Sequence, residues 1–193
     1  MTGWDALGLQ AIGAVWAGWV VLWLVWWRAV KPAVKQETLL SQVIHLAPVV
    51  VATAMLLTPR FQPALLTRDL LPRAVWMVPL GLAITFAGLA FCTWARLTIA
   101  GNWSGTVTLK RGHELVRTGP YALVRHPIYT GFIVAMAGTS IALDAGRGWV
   151  AIGLVLASLV FKRRTEEAFM RGAFGQDYVD YAARVPALVP FTK

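Results

Sequence analysis

Five apolar stretches punctuate this chain, separated by segments in which charge and turn residues collect. Residues 8–27, 40–58 and 75–95 are each long enough to cross a bilayer, which takes about 20 mostly apolar residues in helical form. Residues 127–143 and 148–161 are shorter and are joined by "DAGRG", which predicts a packed hairpin that leans or runs on past the interface. Pro127 stands where the fourth helix should start, because proline at the first helical position gives up only an N–H that has no helical partner there. Tryptophans at 16, 19, 23, 26 and 27 fill much of the first stretch, and Trp26 and Trp27 beside Arg28 read as an interfacial anchor. Arg73 and Arg96 bound the third. The predicted fold class is all-α: a polytopic integral membrane protein of about five transmembrane helices. Residues 1–98 hold three N-terminal helices, and 99–193 form a core of linker, helical hairpin and C-terminal tail.

Composition agrees with that pattern. Of 193 residues 58% are hydrophobic and 14% charged, whereas soluble domains run at about 45–50% and about 25%. The net charge of +9 raises the question of nucleic acid. The basic residues, however, lie between apolar stretches rather than on a soluble face, and no nucleic-acid partner is expected. With five spans, fourteen of the eighteen Lys and Arg fall on one side, in the loop after the first helix, the 96–125 linker and the tail. The positive-inside rule then puts the N-terminus outside and the C-terminus in the cytoplasm. The loop at 58–73, with Arg60, Arg68 and Arg73, runs against the count. The N-terminus lacks the basic region and small-residue cleavage site of a signal peptide. Cys92 is the one cysteine, so neither an intrachain disulfide nor a cysteine-based zinc site is available, and no metal site is expected.

Polar groups inside a bilayer are costly and usually functional. Only Gln42 and His45 lie within a predicted span, and no charged residue falls at a helix centre, which argues against an ion-coupled transporter. His45 reads as a helix-packing histidine. The polar wealth lies in two cytoplasmic segments, 96–130 and 162–184. The first carries "GPYALVRHPIYTG"; the second carries Glu166 and Glu167 directly after the basic trio at 162–164. If the last two helices form a hairpin, "VRHPIY" stands beside "KRRTEE" and the two segments close one polar pocket at the lipid surface. The alternatives are a basic amphipathic tail lying on anionic lipid, or two helix ends bearing ordinary interfacial anchors.

The motifs "NWSG", "HELVRTGPYALVRHPIYTG" and "EEAFMRGAFGQDYVDYAARVPALVPF" resemble the C-terminal core of the isoprenylcysteine carboxyl methyltransferase family, over roughly residues 100–192. Related motifs occur in membrane phospholipid N-methyltransferases and at the C-terminus of membrane sterol reductases. The resemblance implies an integral membrane enzyme that uses S-adenosyl-L-methionine without a dinucleotide-type domain, and no strand–GxGxxG–helix unit is present here. It implies that the cofactor is held by His113, Leu115, Val116, Tyr121, Arg125, His126, Pro127 and Tyr129, with Glu167 and Tyr178 from the tail. The chemistry is consistent: a glutamate suits the cationic part of the cofactor, and Arg125 or His126 suits its carboxylate. Backbone donors at the helix start beside Pro127 favour an anion too.

Methyl transfer to a carboxylate needs alignment and exclusion of water rather than a base, and a cation to hold the acceptor. The resemblance points to Arg164 for that role, with Arg163 as its neighbour, and to Glu167 as the second catalytic group. The implied acceptor is the carboxylate of an S-isoprenylcysteine-like lipophile entering from the bilayer among membrane lipids. A phospholipid amine or a small hydrophobic phenol or thiol are alternative acceptors, and a lipid-binding scaffold is the non-enzymatic alternative. Short loops suggest a prokaryotic inner membrane, with the active site facing the cytoplasm.

Overall fold

The computed structural model describes residues 3–26, 31–57, 63–67, 70 and 74–192. Trp27, Arg28, Arg60, Arg68, Arg73 and Lys193, which entered the anchor and charge arguments, lie outside the described residues.

Within the described residues, each of the five apolar stretches is helical. They give α1 (Gly3–Trp26), α2 (Leu39–Leu57), α4 (Met77–Ile99), α6 (Pro127–Leu143) and the first half of α7 (Gly146–Phe174). Short helices α3 (Ala64–Thr67) and α5 (Pro120–Leu123) sit in the connections, and α8 (Gln176–Arg184) follows α7. Among the described residues, three segments are long and apolar enough to cross a membrane: Ala6–Trp26, Leu39–Leu56 and Met77–Asn102; the apolar Pro127–Leu143 is shorter. Pro127 occupies the first turn of α6, as its position predicts.

Two features depart from the sequence expectation. The helix does not end at Phe161: α7 runs unbroken through the charged "KRRTEE" to Phe174, where Gly175 adopts φ 53°, a left-handed conformation that glycine enters without steric cost. Gly172 lies inside the helix and does not interrupt it. The fold also contains a small sheet, β1 (Ala33–Gln36) antiparallel to β2 (Thr108–Lys110), with Lys35 opposite Leu109 and an irregularity between Ala33 and Lys35. Two polar connections emerging at the same face have unpaired backbone groups, and pairing them with each other satisfies both.

Small residues set the helix packing. A Cβ added at Gly88 of α4 would lie 2.5 Å from the Ala135 nitrogen, and one at Gly138 of α6 would lie 2.5 Å from the Thr85 nitrogen, so these helices meet backbone to backbone. Thr85 Oγ1 donates to the Ala135 carbonyl at 3.2 Å, and Trp16 Nε1 donates to Thr139 Oγ1 at 2.9 Å, which ties α1 to α6. On the other side α2 packs on α7 through a cluster of Ala52, Met136, Ala151, Val155 and Leu159. At the C-terminal end of α4, Arg96 is buried; its guanidinium donates to the Ala100 and Trp26 carbonyls at 2.6 and 2.9 Å and lies over the Trp103 ring.

Candidate active site

The unbroken α7 determines what its charged half presents. On a helix, residues three or four apart share a face. Val155, Ser158, Leu159, Lys162, Glu166 and Met170 follow that spacing, and all line one cavity. The next face carries Arg163, Glu167 and Arg171 at intervals of four: Arg163 Nη1 lies 3.8 Å and Arg171 Nη2 3.3 Å from the Glu167 carboxylate. Arg164 falls on neither face and is exposed.

Opposite α7 stands the extended segment that leads into α6. Arg125 donates from Nε and Nη2 to Glu167 Oε1 at 3.3 and 2.9 Å, and from Nη1 to the Ala182 and Val185 carbonyls at 3.0 and 2.6 Å. His126 Nε2 lies 3.2 Å from Glu167 Oε1, and Nδ1 lies 3.4 Å from Glu166 Oε2. Tyr129 stacks on the His126 ring and donates its hydroxyl to Glu166 Oε1 at 2.6 Å. The tail wraps this cluster. The Arg125 and His126 N–H groups donate to the carbonyls of Pro186 and Ala187 at 2.9 and 3.0 Å, and Thr130 Oγ1 donates to that of Leu188 at 2.6 Å. The amphipathic α8 turns Tyr178 and Tyr181 inward, and Tyr181 donates to the Tyr121 carbonyl at 2.6 Å. Its aromatic side therefore covers the cavity rather than lying on lipid.

The electrostatics follow from this packing. Burial alone would push the Glu167 carboxyl up, but the hydrogen bonds from His126 and Arg125, with their charges, outweigh it and hold the group at about 2. Burial opposes the charged form of His126 as well; the two glutamates facing its nitrogens overcome that and raise it above the ordinary histidine value. Burial likewise works against the Glu166 carboxylate, and hydrogen bonding from His126 with the nearby Lys162 charge lowers it nonetheless. His113 is lowered, first by burial and then by Lys31 and Lys110.

The cavity has a volume of about 410 Å³. Its wall includes His113, Leu115, Val116, Tyr121, Arg125, His126, Pro127, Tyr129 and Tyr178, nine residues singled out from sequence. Two others fall elsewhere. Glu167 lies behind the wall, buried among the cations that grip it, and Glu166 lines the cavity in its place. Arg164 is outside the lining, while Lys162 is on it, donating to the Gly105 carbonyl at 2.6 Å and facing the Tyr129 ring. Lys162 and Glu166 carried a signal that went unused: continuing the apolar face of residues 155–159 at helical spacing lands on both. The cavity extends between the helices to Trp19, Trp23 and Phe132.

Such a chamber, ionic at one end and aromatic at the other, suits an amphiphile and a polar co-substrate together. The model of the isoprenylcysteine carboxyl methyltransferase (ICMT) family matches residues 80–171. The chain is 31% identical to the probable protein-S-isoprenylcysteine O-methyltransferase of Oryza sativa subsp. indica, over 80% of this chain and 88% of that protein. It is 29% identical to protein-S-isoprenylcysteine O-methyltransferase B of Arabidopsis thaliana, over 80% and 86%. Among solved structures, the eukaryotic intramembrane Ras methyltransferase ICMT superposes with a TM-score of 0.52 at 28% identity, covering 82% of this chain and 55% of that one.

Proposed function

Because the chain belongs to the isoprenylcysteine carboxyl methyltransferase family, and is thus an integral membrane methyltransferase, we propose that it methylates the carboxylate of an S-isoprenylcysteine-like lipophile with S-adenosyl-L-methionine. One observation carries this reading: Arg125, His126, Tyr129 and Glu166 converge on the wall of a cavity whose other end is aromatic and apolar.

The residues present fit the cofactor's chemistry. Glu166 suits its cationic groups, Arg125 with the neighbouring backbone suits its carboxylate, and Tyr121, Tyr178, Leu115 and Val116 suit its adenine. When bound it supplies a methyl group on a sulfonium. The chain's own work is to orient and to exclude water. Glu167 positions Arg125 and His126 from behind the wall; α8 and the 186–188 segment cover them. Lys162 holds the acceptor carboxylate in the role that the resemblance gave to Arg164, and its proximity to Tyr129 keeps that charge at the mouth of the apolar chamber. The acceptor's tail enters from the bilayer, along Trp19, Trp23 and Phe132. The site faces the cytoplasm of a prokaryotic inner membrane, with the N-terminus outside and the C-terminus inside.

The test is transfer of radiolabelled methyl from S-adenosylmethionine by purified, detergent-solubilised protein. The panel is farnesylcysteine, phosphatidylethanolamine and hydrophobic phenols and thiols. Base-labile label on farnesylcysteine is expected; label on phosphatidylethanolamine alone, or on nothing, overturns the reading.

A further inference from the structure

A second acid–base pair borders the cavity, with His45 on its wall and Glu37 behind His45, and the reaction above leaves it unused. Glu37, just ahead of α2, and His45, within it, each have a side chain only 1% exposed, and His45 Nε2 lies 2.8 Å from Glu37 Oε1. The carboxylate is held from other directions too: the Val107 N–H donates to Oε1 at 2.8 Å and Ser41 Oγ donates to Oε2 at 2.5 Å. The Glu37 N–H donates in turn to the Val107 carbonyl at 3.0 Å. A carboxylate fixed in this way accepts the Nε2 proton, so Nδ1 becomes the basic nitrogen. Among the described residues no hydrogen bond is made to Nδ1.

Of this dyad, His45 lines the cavity, as does Lys162. The His45 carbonyl accepts the Ser158 hydroxyl, and Ser158 is one helical turn from Lys162 on the same face of α7. Lys162 is tied to Gly105 and Glu37 to Val107, so one short stretch of the linker braces both. The other titratable side chains on the wall include Glu166, His126, Tyr129, His113 and Tyr121. His126 has a carboxylate at each ring nitrogen, Tyr129 is bonded to Glu166, and His113 Nδ1 accepts the Lys110 N–H, which leaves His45 as the histidine fitted to take a proton.

A carboxylate acceptor has no proton to remove. We propose that His45, oriented by Glu37, is a general base with which this cavity also methylates lipophilic thiols or phenols. The inference rests on the methyltransferase reading. His45 Nδ1 takes the S–H or O–H proton while the acceptor's sulfur or oxygen bonds to the methyl carbon of the sulfonium donor. The methyl–sulfonium bond breaks with its electron pair remaining on the donor sulfur, which leaves as a neutral thioether. The imidazolium then returns its proton to water. Lys162 stabilises the thiolate or phenolate as it forms.

Two readouts test this. Without any methyl donor, an alkylated 4-nitrophenol is added to the wild-type protein and to His45→Gln, which keeps a donor toward Glu37, and the phenolate band is followed against pH. Wild type is expected to bring the band at least one pH unit more acidic than detergent alone, and His45→Gln to lose that shift. With donor, His45→Gln is expected to slow transfer to farnesyl thiol by about 100-fold or more while farnesylcysteine transfer stays within about threefold. No acidward shift in the wild type, an equal shift in the variant, or equal loss on both acceptors overturns the proposal. Wild-type transfer to farnesylcysteine but to no thiol or phenol overturns it alone; transfer to no acceptor overturns the methyltransferase reading as well.

Discussion

Arg125 and Glu167, forty-two residues apart in the chain, are joined by a 2.9 Å ion pair between the entrance of α6 and the charged half of α7. The pair is nearly buried and shares its carboxylate with His126 and Arg171. Removing one partner of such a group strands charge away from water, a loss typically of about 3–5 kcal/mol. Glu167→Gln should therefore lower the unfolding temperature markedly, and reduce S-adenosylmethionine affinity only as a consequence. Glu166→Gln, on the cavity wall, should weaken cofactor binding about tenfold or more with a smaller thermal effect. Calorimetric titration and tryptophan-detected melting of the two variants separate these outcomes; the reverse pattern would return Glu167 to the cavity.

Lys162 and Arg164 divide sharply in position, one on the cavity wall and one exposed. Lys162→Met is expected to raise the KM for farnesylcysteine by about 10–100-fold, equivalent to about 1.4–2.8 kcal/mol, with the cofactor KM changing less. Arg164→Met should leave both within about twofold. Steady-state methyl-transfer kinetics decide, and a large effect confined to Arg164 would restore the assignment implied by resemblance.

The ionic cluster should make stability depend on pH in two directions. Glu167, held at about 2 against an ordinary 4.5, contributes stability that is complete above about 4.5 and is lost as pH falls toward 2. His126, raised above its ordinary 6.5, contributes stability that is complete below that value and is lost as pH rises through its folded value. Melting temperature in detergent is expected to peak between about pH 5 and 6.5. In Glu167→Gln the acid limb should flatten, since its main titrating group is gone.

The backbone contact between α4 and α6 gives a packing test. At Gly88 a new methyl would meet the Ala135 nitrogen at 2.5 Å, so Gly88→Ala forces the helices apart. A loss of about 1–3 kcal/mol is expected. Gly13→Ala on α1 meets nothing within 4 Å and should be silent. Thermal denaturation of both variants in the same detergent compares them directly.

Much of this architecture was legible in the sequence because bilayer-length apolar runs and the start signal at Pro127 are local features. The nine cavity residues between His113 and Tyr178 were reached through a resemblance of motifs. What escaped depends on contacts distant in sequence or on helix phase. Treating Lys162 as the start of a tail discarded the helical spacing that sends Lys162 and Glu166 into the cavity, Glu167 behind it and Arg164 outward. Strands of three and four residues, β1 and β2, carry too little pattern to announce a pairing across more than seventy positions. Glu37 lies outside the span that holds His45, so a search for charges within spans passed over the partner that changes how His45 is read.

Since α7 joins Val155 in the apolar chamber to Met170 near its own C-terminus without a break, one rigid rod sets the phase of every group along that wall. A deletion of a single residue near Arg163 would rotate everything beyond it by about 100°, swinging Glu166 out of the chamber and Glu167 away from Arg125. This wall can therefore absorb exchanges of side chain far more readily than any change in its length.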